Sequence, residues 1–211
     1  LYKQLGGIWE NPLSRERIQS ITSLAKRQPH YNEVDPPEVI EEFKIVQAKL
    51  AGFMEDPIKT FRTYPESDTT YPARYARVIA TYKQGNWDKA LTDLDGLIAE
   101  HPENPYLHEL KGQIYFETGR PQLAKPAHEK SVELMPTAAL LQLNLGQTLI
   151  AIGDKDDLNE AVQHLQDSIK YEKDDGFAWE QLAQAYDALK QPGLARLATA
   201  GAVNDAAFAE S

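Results

Sequence analysis

At 211 residues, with 42% hydrophobic and 26% charged side chains, the chain is long enough for one or two domains with a buried core. Its 22 basic residues are scattered and outnumbered by 32 acids, a formal net charge of −10, which argues against a phosphate-binding surface and so against nucleic acid as a partner. The absence of cysteine excludes disulfides, thiolate catalysis and cysteine-based zinc sites, and no apolar run approaches the roughly 18–20 residues that cross a bilayer.

The chain begins at Leu1, without a methionine or a signal-like apolar segment, and is expected to be a piece of a longer protein with any targeting segment upstream. The first helix signal is Asn11-Pro12, an N-cap followed by proline at N1. It leads into SRERIQSITSLAK, where Ile18, Ile21 and Leu24 recur at helical spacing. Asp35-Pro36-Pro37-Glu38 opens a second helix with an acidic N3 residue, and Val39, Phe43, Val46, Leu50 and Phe53 form a continuous apolar stripe behind it. A third helix is predicted from Asp56 to Tyr64, before the polar, proline-bounded turn PESDTTYP. That turn sets the expected boundary between connecting helices (1–70) and a repeat region (71–211).

In the second region the sequence recurs with a period of about 34 residues. The unit 105–138 carries Gly112, Tyr115, Gly119, Ala124 and Pro136 at positions 8, 11, 15, 20 and 32. The unit 71–104 has Gly85, Ala90 and Pro102 at 15, 20 and 32, with Val78 in place of a small residue at 8. The unit 139–175 has Gly146 and Gly153 at 8 and 15, then Ala161 three residues late, the extra length being assigned to the charged turn KDDLN. The unit 176–211 has Trp179, Leu182, Ala183, Tyr186 and Ala195 at 4, 7, 8, 11 and 20. Several constrained positions agreeing in one register resemble the tetratricopeptide repeat (TPR). The resemblance implies an all-α, right-handed solenoid of about four helical hairpins, preceded by two or three packing helices. Small residues at 8 and 20 let two antiparallel helices approach, glycine at 15 ends the first helix, and proline at 32 closes the second. Lys173 stands where the third closing proline is expected, and Pro126 predicts a kink or a late start in its helix.

The runs NPLSRERI, VQAKLAGFMEDPIKTFRTYP, ARYARVIATYKQGNWDKAL and NPYLHELKGQIYFETGR resemble the carboxy-terminal half of bacterial zinc metallopeptidases, among them the periplasmic β-barrel assembly-enhancing protease. The resemblance runs from about Asn11 to Thr199. It implies a TPR protein-binding module that takes polypeptide substrates or an assembly partner in the periplasm, in outer-membrane protein quality control. It also implies an upstream H-E-x-x-H peptidase domain in cis, and zinc only in that domain. Asn11 stands where that family often has histidine. The peptidase motif itself is absent here: His108-Glu109-Leu110-Lys111-Gly112 has glycine where the second histidine must stand. A free-standing TPR adaptor with no protease is the alternative reading.

No catalytic, cofactor-binding or metal site is assigned within the chain. The histidines His30, His101, His108, His128 and His164 include no pair spaced i, i+4, and they are read as packing or surface residues. Asp154, Asp156 and Asp157 lack the glycine and terminal glutamate of a calcium loop and are read as a solvated turn. The remaining candidate is the concave face, where positions 2, 5, 9, 12 and 13 of each first helix point inward. In this register these are Tyr75, Ile79, Tyr82 and Lys83; then Tyr106, Glu109, Gln113, Phe116 and Glu117; then Leu140, Leu143, Gln147 and Ile150; then Phe177, Glu180, Gln184 and Asp187. Asn144, at position 6, is placed to bond a peptide backbone. Aromatics mixed with glutamine and glutamate suit an extended or helical polypeptide. The competing expectation is that several of these aromatics pack against the amino-terminal helices instead.

Overall fold

The computed structural model describes residues 15–29, 31–32 and 34–209, and among them it holds eleven α-helices and no strand. Asn11-Pro12 and His30 lie outside the described residues. The chain divides into two compact units, Leu1–Lys44 and Ile45–Ser211.

In the first unit, α1 (Arg15–Ala25) buries none of its residues, and Ile18, Ile21 and Leu24 are exposed. The second helix, α2 (Pro37–Met54), starts at the predicted prolines and runs from the first unit into the second. Most of its apolar stripe does not become its buried face: Val39, Phe43, Val46 and Leu50 are exposed, Phe53 is partly buried against the repeats, and Ala48 and Gly52 are the buried residues. The reason is close approach. A Cβ on Gly52 would lie 2.8 Å from the Cβ of Ile79, so α2 meets the repeats through its small residues.

The second unit continues with α3 (Pro57–Thr63), capped where Asp56 Oδ1 accepts from the Ile58 amide at 2.8 Å. Thr60, fully buried, donates its hydroxyl to the Ala51 carbonyl at 3.1 Å and ties α3 to the end of α2. The turn PESDTTYP is pinned by Arg77, whose Nη1 donates to the Pro65 and Asp68 carbonyls at 2.8 Å each. Residues 45–63 thus fold in the same unit as the repeats.

Four helical hairpins complete the unit: α4 (Tyr71–Lys83) with α5 (Trp87–Glu100), α6 (Pro105–Glu117) with α7 (Pro121–Leu134), α8 (Ala139–Ile152) with α9 (Lys155–Tyr171), and α10 (Gly176–Ala188) with α11 (Pro192–Ala209). The small residues do as their register requires. Ala90, Ala124, Ala161 and Ala195 are all buried. Gly85, Gly119 and Gly153 end their first helices at φ of 79°, 72° and 81°, a left-handed conformation that costs side-chain-bearing residues. Lys190, at the same position of the fourth hairpin, takes φ of 59° without being glycine.

Two local expectations are corrected. The helix carrying Pro126 does not start late: α7 begins at Pro121, and Pro126 sits inside it. Its position is exposed, so the ring meets solvent and the loss is one intrahelical N–H donor. The additional residues of the third unit are not a turn. They lengthen α9, whose first turn holds Asp156 and Asp157, where negative charge is favoured by the helix dipole.

One apolar core joins α4, α5 and α6 through Tyr75, Val78, Ile79, Leu94, Leu97, Leu107 and Leu110, with Ile45 and Phe53 of α2 packed against it. Two more join α7, α8 and α9, and α8 through α11. Ion pairs link neighbouring hairpins: Lys111 to Asp95 at 2.7 Å, and Lys125 to Asp157 at 2.6 Å and Glu160 at 3.3 Å.

Candidate functional site

The inner-face positions separate into three groups once the side chains are placed. Tyr75 and Ile79 are not groove residues: both are fully buried in the core beneath α2, which covers the inner face of the first hairpin. Leu143 is likewise core, packed with Leu165, Ile169 and Leu182. Ile150 is partly buried against the same packing. At the far end Phe177, Glu180, Gln184 and Asp187 of α10 face solvent.

Between these lies a cleft of about 450 Å³ lined by Lys49 and Phe53 of α2, Glu109, Gln113, Phe116 and Glu117 of α6, His128 of α7, and Leu140, Asn144 and Gln147 of α8. Its α6 residues Glu109, Gln113 and Phe116 stand at positions 5, 9 and 12 and its α8 residues Leu140, Asn144 and Gln147 at 2, 6 and 9, each set at i, i+4, i+7 and so on one face of its helix. The α2 and α7 contributions were not legible as site residues. Lys49 and Phe53 come from outside the repeat, and His128 occupies a position that the register assigns to packing.

Hydrogen bonds order this wall. Lys83 Nζ donates to the Phe53 and Glu55 carbonyls at 2.7 and 2.6 Å, fastening α4 to the end of α2. Tyr82, half-buried against the first core, donates its hydroxyl to Glu117 Oε2, and Gln113 Nε2 donates to Glu117 Oε1 at 2.9 Å. Lys49 Nζ rests 4.5 Å from the centroid of the Tyr106 ring, a cation–π contact. Asn144 Nδ2 donates to Glu109 Oε1 at 3.2 Å, so this asparagine is engaged with a side chain of the neighbouring hairpin.

Two buried titratable groups underlie the cleft. Glu109 is 6% exposed, and burial pushes its carboxyl above the usual range, against the pull of Lys49 and with the repulsion of Glu117. His128 is 3% exposed, and burial lowers its pKa to about 4, only partly offset by the backbone of Glu109. Its Nδ1 lies 2.8 Å from Thr148 Oγ1, which donates to the Asn144 carbonyl at 2.9 Å. The ring fits because position 112 is glycine: a Cβ there would lie 2.7 Å from His128 Cγ and nearer still to Cδ2 and Nε2.

The other histidines hold the scaffold. His108 Nε2 lies 2.8 Å from the Pro102 carbonyl, and His164 Nδ1 lies 2.6 Å from Gln142 Oε1. Among the described residues no group of three or more histidines and carboxylates is arranged to hold a metal ion, and no helix is long and apolar enough to cross a membrane.

Residues 75–139 match the family model of the tetratricopeptide repeat. The fold is a TPR solenoid. Solved structures share it: MamA from Desulfovibrio magneticus RS-1 superposes with a TM-score of 0.67 at 16% identity, covering 81% of this chain and 97% of that one. MamA of AMB-1 does so with a TM-score of 0.65 at 19% identity (79% and 97% covered), and MamA of MSR-1 with 0.64 at 20% (80% and 95%). No curated protein matches the chain. The TPR fold supports a role in binding other proteins.

Proposed function

We propose that the inner cleft of the second and third TPR hairpins binds a segment of polypeptide. The observation that carries this is its lining. Phe53 and Phe116 offer apolar surface, while Gln147 and the amide oxygens of Gln113 and Asn144, whose nitrogens bond Glu117 and Glu109, offer polar groups, a combination that suits side-chain anchoring together with backbone hydrogen bonding. Coverage of the first hairpin by α2 confines the site to the middle of the array. Phe116→Ala tests it, since Phe116 is only partly buried and lies outside the three cores. Titrating an unfolded outer-membrane protein into the purified chain by calorimetry should show affinity reduced by about 1–2 kcal/mol, with helicity unchanged. Equal affinity would move the binding surface away from the cleft.

The finer proposal is that this module serves a periplasmic zinc metallopeptidase, with zinc held by an upstream domain and not by these residues. Two things support it: the sequence resemblance, and the apolar face of α2. Val46, Leu50 and Met54 are exposed along one side of that helix, which a domain linked in cis would cover. A free-standing adaptor is the second reading, supported by the near-complete coverage of the MamA chains by this one. Reading the coding sequence upstream of Leu1 distinguishes them: an H-E-x-x-H helix is expected, and its absence refutes the peptidase association.

A further inference from the structure

We propose that the cleft selects a basic side chain, arginine above lysine, from the bound polypeptide, with Glu109 as its counter-charge. This rests on the polypeptide-binding reading and adds the chemistry that the site demands. Glu109 lines the cleft while more than nine-tenths buried, and its one hydrogen bond among the described residues is the 3.2 Å contact from Asn144. A carboxylate accepts about four hydrogen bonds, so this one is left short of donors. His128 lines the same cleft, equally buried, and its Nε2 lacks a hydrogen bond of full geometry, with only the Glu109 backbone acting on the ring. Groups that can accept more hydrogen bonds than they receive favour a ligand that brings donors.

The chain's own cation meets the need only in part: Lys49 pulls on the Glu109 carboxyl, but its Nζ sits over the Tyr106 ring. A neutral peptide N–H would add one donor but no compensating charge. A guanidinium supplies several donors in one plane, carries the charge, and can stack on an aromatic face such as that of Phe116. The surroundings agree: Glu117 stands at the cleft's edge, and the net charge of −10 attracts cationic ligands at long range. Lys49 then acts as a competitor, so its removal should improve the site.

The test uses the full 211-residue chain and a random dodecapeptide display library, followed by fluorescence anisotropy on the best peptide. Arginine and lysine should be enriched among the selected peptides. Replacing the anchoring arginine by citrulline, which has the same shape without the charge, should weaken binding at least about 10-fold, a free-energy difference of about 1.4 kcal/mol. Glu109→Gln should weaken the arginine peptide equally and abolish the difference from citrulline. Lys49→Gln should tighten binding several-fold, an effect of opposite sign that still reports if Glu109→Gln folds poorly. If peptides are recovered that depend on Phe116 but show no basic preference and ignore both variants, the charge-recognition inference is overturned while the peptide-binding reading stands. If no recovered peptide depends on Phe116, both are overturned.

Discussion

Replacing Gly112 by alanine adds one methyl group at the crossing of α6 and α7, in the space that the His128 ring occupies. The ring cannot simply swing away. It is 3% exposed, and its Nδ1 is held by Thr148 Oγ1 at 2.8 Å, which is itself committed to the Asn144 carbonyl at 2.9 Å. Overpacking a well-filled core costs about 1–3 kcal/mol. Breaking the buried hydrogen bond adds about 1 kcal/mol. Against these, alanine gains up to about 1 kcal/mol over glycine within a helix. The net expectation is a loss of about 1–3 kcal/mol, or roughly 2–12 °C in the melting midpoint at about 2–4 °C per kcal/mol for a domain of this size. Gly96→Ala is the matched control. It makes the same chemical change within α5, where the nearest atom to an added Cβ is the flexible end of Arg74 at 3.7 Å, so propensity alone acts and the protein should gain stability. Urea unfolding followed by circular dichroism measures both. Gly112→Ala matching or exceeding the wild type would refute the packing argument for position 8.

Lys190 holds the left-handed conformation that the other three hairpins give to glycine, so Lys190→Gly should stabilise the protein by about 0.5–1 kcal/mol in the same assay, the relief of strain exceeding the added freedom of the unfolded chain. The pH dependence should carry the signature of His128. Its folded pKa of about 4 lies below the unfolded value near 6.5, so between these the unfolded chain binds the extra proton and stability falls as pH drops. Relative to His128→Gln, the wild type should lose about 2–3 kcal/mol from pH 7 to pH 4, and a flat difference would refute the buried neutral imidazole. Glu109 acts in the opposite direction, because its raised pKa keeps the folded carboxyl protonated while the unfolded one ionises; its contribution is lost as pH rises above the usual carboxylate range, and Glu109→Gln should remove that slope.

The sequence by itself determined the repeat. Glycines, alanines and prolines at fixed offsets encode helix ends and close crossings, which are local properties of a few residues, and the hairpins arise from them in order. Gly85, Gly119 and Gly153 have the left-handed φ that their position implies, and Ala90, Ala124, Ala161 and Ala195 are buried as theirs requires. The same reasoning could not decide which inner-face residues stay open. Tyr75 and Tyr106 both occupy inward positions, 5 and 2 of neighbouring repeats, yet the first is core beneath α2 and the second is exposed beside Lys49. That covering rests on Ala48 and Gly52 at the closest approach, with Ile45 and Phe53 beside them, and not on Val39, Phe43, Val46 or Leu50, a choice of face set by how closely two helices can approach. The cleft is therefore a product of tertiary packing. Periodicity placed Glu109, Gln113 and Phe116 on one face, but the approach of α2 and the burial of His128 against Gly112 gave that face its walls and its floor.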